Sequence, residues 1–253
     1  MKKIIADHWR GLDFYSPKLD KNPHVIIVGC GAIGSYTAFG LARLGVKKLT
    51  LIDFDTVEGH NLPNQFFAES LNIPTGMFKV SVLASTIKLI VPSVEIITIP
   101  MKFEQVDVKT LYPASAIITT VDCMEVRKNI YASVKDSGLL LLDARIGGLF
   151  ANIYDIPLSN PKASEYYKSS LYSNGTVQAL PCTGQSVCDV SMTVAGELVG
   201  RYRNFAMGKQ YPSFHTFHDY KIGQMWIQEL NPDFSIEDNP FTTDAESLAK
   251  VGM

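Results

Sequence analysis

No C-x-x-C pair occurs in the chain. Its four cysteines (Cys30, Cys123, Cys182 and Cys188) stand apart, so neither a zinc knuckle nor a thioredoxin-type dithiol is indicated, and no structural zinc is expected. Cys182 and Cys188 are near enough for a disulfide, but a reducing compartment disfavours one. No apolar run approaches the roughly 18 residues of a membrane-spanning helix. The start, MKKIIADHWR, has only Ile4 to Ala6 as an apolar stretch, too little for a signal peptide. A cytoplasmic protein is expected. An excess of one charge is also missing: the net charge of −2 argues against a general nucleic-acid or membrane-surface binder. There is no internal repeat and no low-complexity tract. What remains is 253 residues, 46% hydrophobic and 19% charged, enough for one large α/β domain or a nucleotide-binding half plus a smaller one.

The informative stretch is His24 to Asp55, HVIIVGCGAIGSYTAFGLARLGVKKLTLIDFD. An apolar strand runs into Gly29, Gly31 and Gly34, a G-x-G-x-x-G. A helical run follows with Ala38, Leu41, Ala42 and Gly45 at one-turn spacing, then a second apolar strand, Leu49 to Ile52, ending in Asp53. Strand, glycine turn, helix, strand and acid, with the acid about 20 residues beyond the glycines, is a dinucleotide-type phosphate site. Gly29 permits a tight turn, Gly31 lets backbone approach a phosphate, and Gly34 lets helix and strand pack. The helix N-terminus faces the anion, and Asp53 accepts hydrogen bonds from ribose hydroxyls.

Residues 7–23 read as a polar, aromatic-dotted entry to the first strand. Beyond Asp55 the chain is a loop with at most a short helix, punctuated by Gly59, Pro63, Pro74 and Gly76. Met77 to Val91 has helical period, with Val80, Leu83, Ala84, Ile87 and Ile90 on one face. Strands are expected at Val94 to Ile99, Ala116 to Thr120 and Leu139 to Asp143, with a helix at Met124 to Asp136. Such alternation means a doubly wound, mostly parallel sheet. Leu149 to Ile156 alternates and predicts an antiparallel strand. Residues 157–181, rich in Tyr, Ser, Asn and Pro, predict a crossover loop or lid, and a long helix is expected from Val190 to Met207. The tail from Tyr211 is aromatic up to Trp226 and then polar, with disorder expected in the last dozen residues. The organisation expected is an arm over 1–23, a Rossmann-like nucleotide-binding half over 24–148, and a C-terminal half of the same domain over 149–253.

Further residues fall where a dehydrogenase has no need of them. Asp55 follows Asp53; Asn61 and Gln65 lie in the next loop; Lys79 opens a helix; Asp122 ends a strand in Thr-Thr-Val-Asp-Cys. In GCGAIG, DFDTVEGHNLPNQF, GMFK and TTVDCMEVR, in that order, the chain resembles the ThiF/MoeB/HesA-like adenylyltransferases, relatives of ubiquitin-activating enzymes. The likeness covers residues 24–148 well and continues more loosely through DARIGG and the helix from Val190. Its DARIGG segment and short lid resemble the small phage and mobile-element members.

The resemblance implies ATP on the glycine turn and Asp53, with Asn61 orienting phosphate or ribose and Asp55 and Gln65 also at the nucleotide. Lys79 would neutralise phosphate charge and Asp122 would hold Mg²⁺. The substrate would be a ubiquitin-like or sulfur-carrier protein or a peptide, activated at its C-terminal carboxylate as an acyl-adenylate, by a homodimer. Each residue also has a plainer reading: Lys79 as a solvated lysine, Asp122 as a helix cap, Asn61 as a turn residue.

One position departs from the pattern. Asn64 stands in Asn61-Leu62-Pro63-Asn64-Gln65 where the family has arginine, and an amide supplies no guanidinium fork. Arg10 lies where family members carry an arginine that reaches a partner subunit's ATP site; Arg127 and Arg145 are further candidate cations, with an Asp143 ion pair the simplest alternative for Arg145. Cys182 is favoured over Cys188 as a nucleophile accepting the activated carboxyl, although Cys188 is near a helix start, where the dipole favours thiolate. Cys30 and Cys123 would only line the pocket. Three alternatives stay open: adenylation of a small-molecule or tRNA carboxylate, an NAD-dependent oxidoreductase, and a nucleotide-binding scaffold without turnover.

Overall fold

The computed structural model describes residues 11–172, 187–209 and 213–229. Strands β1 (His24–Val28), β2 (Lys48–Ile52), β3 (Glu95–Ile99), β4 (Ala116–Thr119) and β5 (Leu140–Gly147) pair in parallel in the order β3-β2-β1-β4-β5. Three antiparallel strands extend the same sheet: β6 (Phe150–Pro157), β7 (Ser213–Asp219) and β8 (Gln224–Glu229). The extension is longer than the single strand the sequence suggested.

Helices cover both faces, which explains why the central strands are continuous apolar runs rather than alternating ones. On one face Val25, Ile27, Leu51, Ile118 and Leu142 pack under α1 (Ala32–Leu44), α2 (Lys79–Ile90) and α5 (Cys188–Ala206). On the other, Ile26, Ile117, Leu141 and Ile156 pack against α3 (Met124–Val134) and α4 (Pro161–Ser169). Each fully buried aliphatic side chain contributes about 1.5–3 kcal/mol relative to exposure, so the layering follows from the strand composition. Helices α1 and α5 touch closely: a Cβ on Gly40 would fall 2.8 Å from Val199 Cγ2. The arm joins this layer too, since Tyr15 and Tyr202 of α5 both donate to Asp20 Oδ2 at 2.8 Å.

One expectation is corrected, and the tail carries strands that its composition had not marked. The stretch read as loop contains α4. Asn160 Oδ1 accepts the N–H groups of Lys162 (3.0 Å) and Ala163 (3.2 Å), and Pro161 occupies the first helical position, a start signal of two parts. The tail forms the β7–β8 hairpin, whose turn is held by Asp219 Oδ1 accepting Lys221 N at 2.9 Å. Helix α5 starts at Cys188, slightly ahead of the expected Val190. The last dozen residues lie outside the described residues, as do Arg10 and Cys182.

Candidate active site

Strand order reverses between β1 and β4: the chain goes from β1 outward to β2 and β3, then returns to add β4 and β5 on the other side. The loops after β1 and β4 therefore diverge and leave a crevice at the carboxyl ends, the usual ligand position in open α/β sheets. The glycine turn, Asp53, and Thr120 to Cys123 all emerge at that end.

Gly29 has φ +91°, a left-handed conformation that glycine adopts without steric penalty. Its carbonyl accepts the Thr120 hydroxyl at 2.8 Å, and Thr120 N bonds Val28 O at 2.9 Å, so the turn is fastened to the end of β4. A Cβ on Gly34 would lie 1.9 Å from Gly29 O; helix and turn are in direct contact. Gly31 differs, with no atom within 4 Å of where its Cβ would stand. Helix α1 begins beside this open space with no side-chain cap and no acid in its first turn, so its first N–H groups and the positive dipole end are available to an anion.

Asp53 shapes the turn. Its Oδ2 accepts Cys30 N at 2.6 Å and its Oδ1 accepts Asp55 N at 2.8 Å. Burial pushes its pKa up, and those two N–H groups together with Lys79 act the other way. Phe54, between the two aspartates, is half exposed and carries Lys102 Nζ 5.2 Å above its ring centre.

The chain after β2 returns to pair with the entry to α2 through a Thr56–Phe78 bridge, and Lys79 N bonds Asp55 O at 2.8 Å. This places the largely buried Lys79 at the strand ends, with Nζ 2.9 Å from Asp55 Oδ2. The intervening loop is clipped to α1: Phe66 N donates to Ser35 Oγ at 2.9 Å, and the Phe66 ring stacks on Phe39 at 4.2 Å. Buried Asn61 uses Oδ1 to accept Glu58 N at 2.9 Å, so half its amide is structural. Gln65 Oε1 is buried with no hydrogen-bond partner among the described residues. Asn64 N bonds Asn61 O at 3.1 Å.

Asp122 is exposed and makes no hydrogen bond or ion pair among the described residues. It is not a helix cap, because Cys123 occupies the N-cap position of α3 and makes no capping bond. Of the three candidate cations, the two among the described residues, Arg127 and Arg145, are both engaged at Asp143. Arg127 Nε bonds Asp143 Oδ1 at 3.0 Å and its Nη2 donates to Val121 O and Ala144 O. Arg145 Nε bonds Asp143 Oδ2 at 2.7 Å, and its Nη atoms donate to Ser170. Burial alone would push Asp143 up, but the two guanidiniums hold it below the ordinary carboxylate range.

Of the cysteines, Cys30 is fully buried and burial pushes its thiol far up, so it stays a packing residue. Cys188 opens α5, with Sγ 3.1 Å from Tyr36 OH; burial and that contact push Tyr36 up to about 12. Sequence reasoning missed Ser35, Tyr36 and the Lys102–Phe54 pair. Ser35 lies next to Gly34, but nothing in its spacing marks it as the clip of a distant loop.

Fold and crevice define a doubly wound, Rossmann-like α/β protein. The ThiF family profile matches residues 15–240, and the chain belongs to that family. Ubiquitin-like modifier-activating enzyme 5 of Drosophila melanogaster is 34% identical over 89% of this chain and 58% of its own length. The Drosophila erecta protein of the same name is 32% identical over 89% and 59%. The chain thus spans less than two thirds of these relatives. Among solved structures, PaaA superposes with a TM-score of 0.68 at 17% identity, covering 91% of this chain and 76% of its own. Escherichia coli MccB with ATP gives 0.63 at 17%, covering 87% and 68%. No helix among the described residues is long and apolar enough to cross a membrane.

Proposed function

We propose that the protein uses ATP and Mg²⁺ to adenylate the C-terminal carboxylate of a ubiquitin-like, sulfur-carrier or peptide substrate. The observation that carries this reading is the convergence, at one sheet end, of the uncapped α1 N-terminus behind open Gly31, the carboxylate of Asp53, the largely buried Lys79, and the unpaired Asp122. The names of the relatives support it: a ubiquitin-like modifier-activating enzyme, and MccB crystallised with AMPCPP and MccA.

The residues present fit the nucleotide. Phosphate suits the glycine turn, ribose hydroxyls suit the remaining lone pairs of Asp53, and the buried acceptor on Gln65 suits a hydroxyl or amino donor. Lys79 neutralises phosphate charge by turning from Asp55, its near neighbour. Asp122 fits Mg²⁺, a hard cation that takes one or two carboxylates together with phosphate oxygens and water. When bound, ATP supplies the electrophilic α-phosphorus. A carboxylate oxygen of the substrate forms the new P–O bond as the α–β phosphoanhydride breaks, and the electron pair leaves with pyrophosphate. Catalysis is then positioning plus charge neutralisation. In a homodimer Arg10 serves the nucleotide site of the second protomer, and the Cys182 thiolate takes the acyl group as a thioester while AMP leaves with the electron pair of the broken acyl–phosphate bond.

ATP–pyrophosphate exchange tests the reading. Exchange that requires a carrier protein or peptide with a free C-terminus, and that disappears in Asp122→Ala, supports it. Exchange with a small acid or a tRNA would move the substrate class. Tight ATP binding without exchange by any partner would favour a scaffold, the reading for which Asn64 and the engagement of Arg127 and Arg145 at Asp143 speak.

A further inference from the structure

The Asp143 carboxylate, with no exposed surface, accepts from three side chains: Arg127 Nε at 3.0 Å, Arg145 Nε at 2.7 Å and Tyr167 OH at 3.1 Å. The two arginines lead in opposite directions. Arg145 reaches back to Ser170 Oγ (3.0 Å) at the end of α4 and lies over the Tyr154 ring at 4.4 Å. Arg127 reaches forward, where its Nη2 donates to the carbonyl of Val121, the residue bonded to Asp122. The second acceptor of that nitrogen is Ala144 O, at 3.3 Å. One guanidinium therefore ties the start of the Asp122 loop to β5 at two points, and the carboxylate beneath fixes the guanidinium.

The Asp122 side chain has no fixing contact of its own among the described residues. An exposed carboxylate on the four-residue link between β4 and α3 can only be aimed by its backbone. Neighbours of this kind, one bond removed from a metal-holding group, orient it. From this geometry we infer that Arg127 is a positioning residue for Asp122, acting through the Val121 carbonyl, with Asp143 holding Arg127 in place. The inference rests on the assignment of Mg²⁺ to Asp122 and does not depend on which carboxylate is adenylated.

The test measures ATP affinity of the full-length protein in Mg²⁺ and in EDTA, with Mn²⁺ relaxation as a direct probe of the metal. Arg127→Lys keeps the ion pair with Asp143 and loses the fork to Val121 and Ala144. It should bind ATP in EDTA as the wild type does, and require about tenfold more metal, within the range typical of lost outer-shell contacts. Arg145→Lys is the comparison: it loosens the other side of Asp143, so it should lower the melting temperature and leave the metal requirement unchanged. If Arg127→Lys does not fold, Arg127→Met, which keeps the side-chain stem and has no donor for Val121 O, takes its place. An unchanged metal requirement in the folded Arg127 variant, or an equal rise in Arg145→Lys, would overturn the inference. So would a wild type whose ATP affinity ignores Mg²⁺. A wild type that binds Mg²⁺ and ATP but never exchanges pyrophosphate would sink the adenylation reading and leave this test standing.

Discussion

Asp53 Oδ2 lies 2.6 Å from the backbone nitrogen of Cys30, inside the glycine turn. The same carboxylate therefore builds the turn and, in the proposed function, also serves the nucleotide. Binding and stability should fail together at this residue. Asp53→Ala leaves the part-buried Cys30 N–H without its acceptor, while the exposed Asp55 N–H turns to water. Chemical denaturation should find a loss of about 1–3 kcal/mol alongside weakened ATP binding, with Asn at the same position giving a smaller loss of stability.

Asp122 should behave in the opposite way. It is exposed and unpaired among the described residues, so Asp122→Ala should change stability by no more than about 0.5 kcal/mol. Pyrophosphate exchange should vanish in the same sample. A large drop in melting temperature would mean that Asp122 has a structural partner.

Gly34→Ala tests the contact between α1 and the turn. Its new Cβ would have to share space with Gly29 O, 1.9 Å away, and with Thr120 Oγ1, 2.7 Å away. Backbone must move, so ATP binding should be lost and the soluble yield should fall. Gly31→Ala meets no such wall. It should fold normally and lose only nucleotide affinity.

Asp155 gives a pH signature. It is buried on β6, and burial pushes its carboxyl up to about 7 despite nearby Arg201. Between its ordinary value of 3.8 and 7 the folded protein holds a proton that the unfolded chain has released. Stability therefore falls as pH rises through that window and is level above it. Asp155→Asn removes the ionisable group. It should match the wild type near pH 4 and exceed it by about 2–4 kcal/mol at pH 8, read from urea unfolding at the two values.

The sequence made β1, α1 and β2 legible because three separate signals coincide there: buried apolar runs, glycines where backbone crowds backbone, and an acid at a strand end. Helix α4 hid behind its composition. Its apolar face is Ala163, Tyr166 and Tyr167, and tyrosines among serines and lysines read as loop; Asn160-Pro161 was the available signal. The β7–β8 hairpin hid because His215 and Thr216 are buried, whereas polar residues in a strand suggest an exposed edge. In the site, Lys79 and Asp122 could be picked out because each sits at an element boundary. The engagement of Arg127 could not: its partner Asp143 is on another element, and only the pairing of β4 with β5 brings them together.

The cover that α5 provides has a consequence for how the protein is made. Val190, Val194 and Leu198 share a core with Val25, Ile27 and Ile118, yet they leave the ribosome after all five parallel strands. At about 5–20 residues per second, the nascent sheet spends a few seconds with that layer missing. Through that interval Val25, Ile27 and Ile118 lack the cover that α5 gives them, and any apolar partner in the cell would meet that face before α5 does.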